Sequence, residues 1–247
     1  MRFTLLALFI TMAWGQTGID IAKMVDDKVL PKDMTNTTKM VLTNSKGKTR
    51  TNMMMSKSMD GNKKQIIWFM APKDDRGVAF LKIEHDNKDD EMRMWLPAFK
   101  KVRRISSKRK GDAFMGSDMS YEDLTNRDIA DYDYNRLDDE TINGTLCYVL
   151  ESTPRTSANS TYSKHLSWID QSSLTILQEH SFDKRGKLKK EKSFKYQKLK
   201  DYFVMDQVYV KDVQKNHSTE VTFEKLEVDS GVKSALFQEK NLKRIPR

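Results

Sequence analysis

Residues 94–124 read MWLPAFKKVRRISSKRKGDAFMGSDMSYEDL, and the character of the chain changes three times within them. Met94, Trp95 and Leu96 have the long apolar side chains of a strand, and Pro97 ends it because proline cannot donate to a sheet ladder. Seven basic residues follow: Lys100, Lys101, Arg103, Arg104, Lys108, Arg109 and Lys110. Phe114-Met115-Gly116 then places two large apolar side chains among Lys, Gly, Ser and Asp. Such a pair either plugs a core or lines the mouth of an apolar cavity. Ser120-Tyr121-Glu122-Asp123 has the spacing of a capping box and predicts a helix start. If 102–105 continues as strand, alternation sends one of Arg103 and Arg104 inward.

From Asp33 on, the segments on either side read as strands, the first ending at the Asn44 to Gly47 turn. Residues 49–55, 65–70, 78–83 and 92–96 carry β-formers or long apolar side chains, separated by Asp, Asn and Gly turns. Strands are expected again at about 139–154, 162–169, 175–183, 188–200, 203–212 and 217–228, with Phe237 and Leu242 closing the chain. Near the start, Ile21, Met24, Val25 and Val29 recur at three- and four-residue spacing. That period predicts a helix over 19–30, stopped by Pro31. About ten strands joined by short turns are the signature of an antiparallel sheet that curls. No change of composition divides the chain.

The first residues point to export. Met1-Arg2 is a positive start, residues 3–12 are apolar apart from Thr4 and Thr11, and Ala13-Trp14-Gly15 puts small residues at a cleavage site before Gln16. The apolar run is shorter than the roughly 20 residues a spanning helix needs, and no later segment reaches that length. The expected organisation is a leader over 1–15 and one domain over 16–247, periplasmic and without a transmembrane segment after cleavage. The whole chain of 247 residues carries 44 Lys and Arg against 35 Asp and Glu, a formal charge of +9. A single cysteine, Cys147, excludes a disulfide framework and a cysteine zinc site. It lies in an apolar run, Leu146 to Leu150, after Asn143-Gly144, and is expected to be a buried strand residue.

No phosphate-binding glycine loop, dinucleotide fingerprint, zincin helix or calcium loop occurs, and His85, His165, His180 and His217 stand apart in sequence. The expectation is a protein that is not an enzyme and uses no cofactor or metal. The basic run suits a solvated face, anionic lipid headgroups or an acidic partner. An exported chain without interleaved stacking aromatics is not expected to bind nucleic acid.

The residues Trp95-Leu96-Pro97, Val102-Arg103-Arg104-Ile105, Phe114-Met115-Gly116-Ser117-Asp118 and Ser120-Tyr121-Glu122-Asp123-Leu124 resemble the outer-membrane lipoprotein-sorting protein family. The likeness is to its LolA-like branch, which includes the treponemal lipoprotein group. Downstream, Cys147 to Glu151 before Pro154, Tyr162-Ser163-Lys164 and Trp168-Ile169-Asp170 fit the same pattern, and the likeness covers nearly all of 16–247. It implies a mainly β fold with flanking helices: a strongly curved antiparallel sheet, an unclosed barrel, with a helical lid over an apolar cavity. It also implies a periplasmic carrier of lipid or lipoprotein acyl chains, working with an inner-membrane transporter of the resistance-nodulation-division type. The fifteen methionines agree, since a flexible thioether side chain adapts to varied acyl chains.

On this reading the cavity or its mouth is expected to draw on Trp68, Met94, Trp95, Leu96, Arg103, Arg104, Phe114 and Met115. Lys100, Lys101, Lys108, Arg109 and Lys110 would face a membrane or partner. The competing expectation is an accessory protein without cargo, docking on an envelope transporter or membrane component.

Overall fold

The computed structural model describes residues 15–86 and 88–246, so the expected leader over 1–15 lies outside the described residues but for Gly15. Helix α1 (Gly18–Asp26) begins at a capping box: the Asp20 backbone N–H donates to Thr17 Oγ1, and the Thr17 N–H donates to the Asp20 carboxylate at 2.9 Å. Ile21 and Ala22 bury one face of α1 against Leu150 and Ile169. The helix stops short of the expected Leu30, because Val29 and Leu30 are exposed and have no apolar surface to meet.

Thirteen strands follow among the described residues. They are β1 (Asp33–Thr43), β2 (Thr49–Met59), β3 (Lys64–Ala71), β4 (Ala79–Ile83), β5 (Glu91–Leu96) and β6 (Lys101–Ile105), then β7 (Tyr132–Ile142), β8 (Thr145–Pro154), β9 (Lys164–Asp170), β10 (Ile176–Phe182), β11 (Leu188–Leu199), β12 (Tyr202–Asp212) and β13 (His217–Val228). They form one antiparallel sheet in the order 6-5-4-3-2-1-13-12-11-10-9-8-7. Each strand pairs with its chain neighbour, except where β1 pairs with β13 and joins the two halves. The curved sheet does not close. Its edges are β6 and β7, so the connection over 106–131 must travel from one edge to the other.

Two strands exceed the sequence expectation. β6 lies inside the basic run, and charge on an edge strand is one way a sheet blocks edge-to-edge pairing. One strand was expected near 139–154; β7 and β8 stand there, folded at Asn143-Gly144, both with positive φ. The acids Asp138, Asp139 and Glu140 are exposed on the other edge, around an irregularity between Leu137 and Glu140.

Cross-strand register sorts the side chains by face. Met40, Leu42, Met54, Phe69, Phe80, Met92 and Met94 share the inner face with Val208, Val210 and Val221. On the outer face Ile66, Trp68, Ala79 and Leu81 lie under Phe237 and Leu242 from the C-terminal tail. Cys147 is fully buried in β8 beside Val149 and Trp168, and burial pushes its thiol pKa up.

Candidate functional site

The connection between the two edges lies across the inner face as a lid. Its tip, residues 113–120, is a tight loop closed by an isolated bridge between Ala113 and Ser120. The Phe114 N–H donates to Met119 O at 2.8 Å and the Ser117 N–H to Phe114 O at 2.9 Å. The turn needs positive φ at Met115 (48°) and Gly116 (80°), which is where the glycine is used. This loop drives Phe114 into the sheet until it is 2% exposed. Its ring lies 5.3 Å from Phe80 and 5.9 Å from Tyr121, both edge to face, and 6.0 Å from Phe69. Met115, Met119 and Leu124 pack around the same cluster.

Polar anchors hold the lid to four strands. At the tip, Asp118 accepts from Thr219 Oγ1 and lies against His217 Nδ1 on β13, each at 2.7 Å. Lys82 on β4, fully buried, donates to Leu124 O at 2.6 Å and to Glu84. Farther along, Asp123 meets Lys190 and Lys192 of β11, both at 2.6 Å, and accepts from Tyr162 Oη at 2.9 Å. Arg127 forks onto Glu179 of β10 at 2.6 and 2.8 Å. The capping geometry expected at Ser120 exists, since its N–H and Oγ both donate to Asp123 at 2.7 Å. A helix nonetheless fails to propagate. Only a 3-10 turn, Glu122–Leu124, forms before Thr125 turns extended.

The inner face is therefore apolar toward β1–β5 and charged toward β9–β11. Burial alone would raise the Asp123 carboxyl, but the ammoniums of Lys192 and Lys190 hold it well below the usual carboxylate range. Glu179 is held low in the same way by Arg127 and Lys192. Burial opposes the charge on Lys192, yet Asp123 and Glu179 raise its pKa above the ordinary value. His165 stays neutral because burial and the Arg127 charge both disfavour its protonation. Its Nδ1 lies 2.9 Å from Ser181 Oγ, while its buried Nε2 has no hydrogen-bond partner among the described residues.

A family model described as that of an uncharacterized protein matches residues 61–244. The structure of a domain described as an outer-membrane lipoprotein-sorting protein from Vibrio parahaemolyticus is 33% identical, with a TM-score of 0.87 over 92% of this chain and 98% of that one. The chain belongs to the outer-membrane lipoprotein-sorting protein family. A DUF1329 family protein from Desulfovibrio piger is 30% identical, with a TM-score of 0.86 over 91% of this chain and 97% of that one. A LolA superfamily protein from Nitrosomonas europaea shares the fold at 17% identity, with a TM-score of 0.72 over 91% of this chain and 99% of that one. No curated protein matches the sequence.

Within this LolA-like sheet, the predicted site residues fall in different places. Met94, Leu96, Phe114 and Met115 come together at the inner cluster. Trp68 and Trp95 belong to the outer cluster under the C-terminal tail, on the face opposite Phe114. Arg103 pairs with Met94 and shares the inner face, while Arg104 pairs with Arg93 on the outer one. Both are exposed, because β6 is an edge. Lys100, Lys101 and Lys108 are exposed, whereas Arg109 pairs with Asp112 and half-buried Lys110 donates to Ala158 O at 2.6 Å. Two surface depressions of about 390 Å³ each, lined by Glu84 to Asp86 with Lys88 and by Arg136 to Asp139, are polar and do not border Phe114. Asp123, Arg127, Glu179, Lys190 and Lys192 were absent from the sequence-predicted site. Residues 189–195 place charges on both faces of β11, so alternation gave no signal of which were inward.

Proposed function

We propose that residues 16–247 form a single-domain exported carrier, working in the periplasm, that takes the acyl chain of a lipid or lipoprotein onto the inner face of the sheet. The observation that carries this reading is the origin of the group filling that face. Phe114 comes from a short loop held by polar anchors, so the apolar surface of β1–β5 is covered by a side chain that can be exchanged. An incoming chain would replace Phe114, Met115 and Met119 and recover roughly 0.8 kcal/mol per buried CH₂. The methionines at 40, 54, 92 and 94 would adapt to its shape. The similar Vibrio domain, described as lipoprotein-sorting, supports the same direction. Delivery would use a membrane transporter, with the exposed basic edge as the contact.

Organic extraction of the purified protein followed by mass spectrometry tests this, together with uptake of a fluorescent acyl probe. Co-purifying lipid or saturable uptake is expected; finding neither would overturn the carrier.

One observation favours an accessory role. Phe99 is 71% exposed beside Lys100 and Lys101, a pairing that suits docking to an anionic membrane or acidic protein. Binding to an envelope partner that survives F114E and is lost in K100E/K101E would favour it over cargo transport.

A further inference from the structure

We infer that Asp123 occupies, in the closed protein, the binding site for an anionic lipid headgroup, formed by the ammoniums of Lys190 and Lys192 and the hydroxyl of Tyr162. This rests on the carrier reading and names the class of cargo: an acyl chain bearing a phosphate or carboxylate.

The Asp123 carboxylate is surrounded as a bound anion would be. Its two oxygens take Lys190 Nζ and Lys192 Nζ at 2.6 Å, Tyr162 Oη at 2.9 and 3.1 Å, and Ser120 N and Oγ at 2.7 Å. Charge-assisted donors converging in this way suit any compact oxyanion. The side chains of Asp123, Lys190 and Lys192 are no more than 6% exposed. Asp123 belongs to the lid, while the lysines belong to β11. Withdrawal of the lid takes Asp123 and the Ser120 donors away together and leaves the two ammoniums and the Tyr162 hydroxyl behind.

The remaining charge defines the ligand. Lid withdrawal removes Asp123 and Arg127 together, leaving Lys190, Lys192 and Glu179 on the sheet, two positive charges against one negative. The surplus of positive charge calls for an anionic head. Beside it, His165 lies 4.9 Å ring to ring from Tyr162 with Nε2 still unpaired, a spare polar atom next to the site. The apolar half begins immediately alongside. Phe194, two residues from Lys192 on the same face of β11, packs against the cluster that holds Phe114. Two residues of strand span about 7 Å, so a head on the lysines starts its chain on Phe194.

Calorimetry with dodecyl phosphate, neutral 1-dodecylglycerol and inorganic phosphate tests the site in wild type, D123N and D123N/K190M/K192M. The triple variant removes the carboxylate with both ammoniums and leaves Glu179 paired with Arg127, so no buried charge is stranded. Wild type should prefer dodecyl phosphate to dodecylglycerol by about tenfold or more. D123N should bind both amphiphiles more tightly and keep that preference. The triple variant should bind them equally. A preference that persists in the triple variant, or is absent from both wild type and D123N, overturns the headgroup site while the carrier stands. If D123N binds inorganic phosphate as tightly as dodecyl phosphate, the site serves free phosphate and the headgroup assignment falls. If neither amphiphile binds any variant, the carrier reading falls and takes this site with it.

Discussion

Replacing Phe114 with alanine tests whether the lid is a separate, displaceable unit. The ring is 2% exposed and meets three aromatic rings. Truncating a buried Phe to Ala costs about 3–5 kcal/mol. Met115 and Met119 adjoin the vacated space and can fill part of it, which places the loss near the lower end, about 3 kcal/mol. Both opening of the lid and global unfolding become easier by that amount, about a hundredfold in each equilibrium. Hydrogen exchange under increasing urea separates the two. The amides of Phe114, Ser117 and Asp118, bonded to Met119 O, Phe114 O and Thr219 Oγ1, report on the lid. Those of Met40 and Val221 on the paired strands β1 and β13 report on the sheet. Lid amides should exchange about a hundredfold faster in F114A with a much shallower urea dependence than the sheet amides, because lid opening exposes far less surface than global unfolding. Sheet amides should keep the full urea slope. The reasoning fails if lid and sheet amides share one urea slope, since the lid would then open only when the sheet unfolds. An acceleration of lid exchange below about threefold would fail it too, showing that Phe114 does not hold the lid down.

Further outcomes follow from the same packing. A Cβ on Gly18 would lie 2.8 Å from Tyr134 O and 2.9 Å from Arg136 N, both backbone atoms that cannot swing away. G18A should therefore cost about 1–3 kcal/mol as α1 lifts from β7 and β8, visible as a fall of a few degrees or more in the melting temperature; an unchanged melting temperature would contradict the docking. His165 faces Ser181, Arg127, Tyr162, Tyr132 and Glu179, and burial with the Arg127 charge lowers its pKa. The unfolded chain takes up that proton near pH 6.5, so the unfolded state binds more protons below it and stability falls as the pH drops from about 6.5. Asp123 and Glu179, with depressed pKa values, contribute stability that is still fully present there and is lost only at pH below about 4. Urea titrations should show wild type losing stability between pH 6.5 and 5 by up to about 1.4 kcal/mol per pH unit more than H165Q; parallel curves would refute the assignment. Cys147, fully buried with its thiol pKa raised, should react with an aromatic disulfide only at the rate of unfolding, and prompt stoichiometric labelling of the native protein would disprove its burial.

How far the sequence revealed this molecule depended on whether a residue's role was local. The strands of the first half were legible because turns such as Asn44 to Gly47 and Asp60 to Asn62 separate runs of apolar and β-branched residues. Cys147 was legible because its neighbours are apolar. β6 and β7 were harder to see, as edge strands carry exposed charges that look like loop. Phe114 stood out as an apolar residue in polar surroundings. The side of the sheet reached by Trp68 and Trp95 did not, because the C-terminal tail and the lid both offer apolar cover and only register tells them apart. The network of Asp123, Arg127, Glu179, Lys190 and Lys192 was invisible for a different reason. Its members lie up to 69 residues apart, and each looks like an ordinary surface charge until the lid is folded over β10 and β11.

That network is an expensive way to close a protein. Removing charges from water costs several kcal/mol per ion, and a buried pair recovers this only with good geometry and further hydrogen bonds. Leucine and methionine at 190, 192 and 123 would close the same face with at least equal stability, extending the apolar cluster already present at Phe194. Such a lid would have no preference for one kind of cargo over another. It would also offer nothing for a ligand's charge to replace. With ions, substituting one oxyanion for another leaves the count of buried charges and donors nearly constant, so exchange of Asp123 for an external anion lies close to balance. The apolar half supplies the net gain, as an acyl chain longer than the side chains of Phe114, Met115 and Met119 buries more surface than the lid gives up. On this division the charged half selects the cargo and the apolar half sets how tightly it is held. The two can be altered separately, by D123N on one side and F114A on the other.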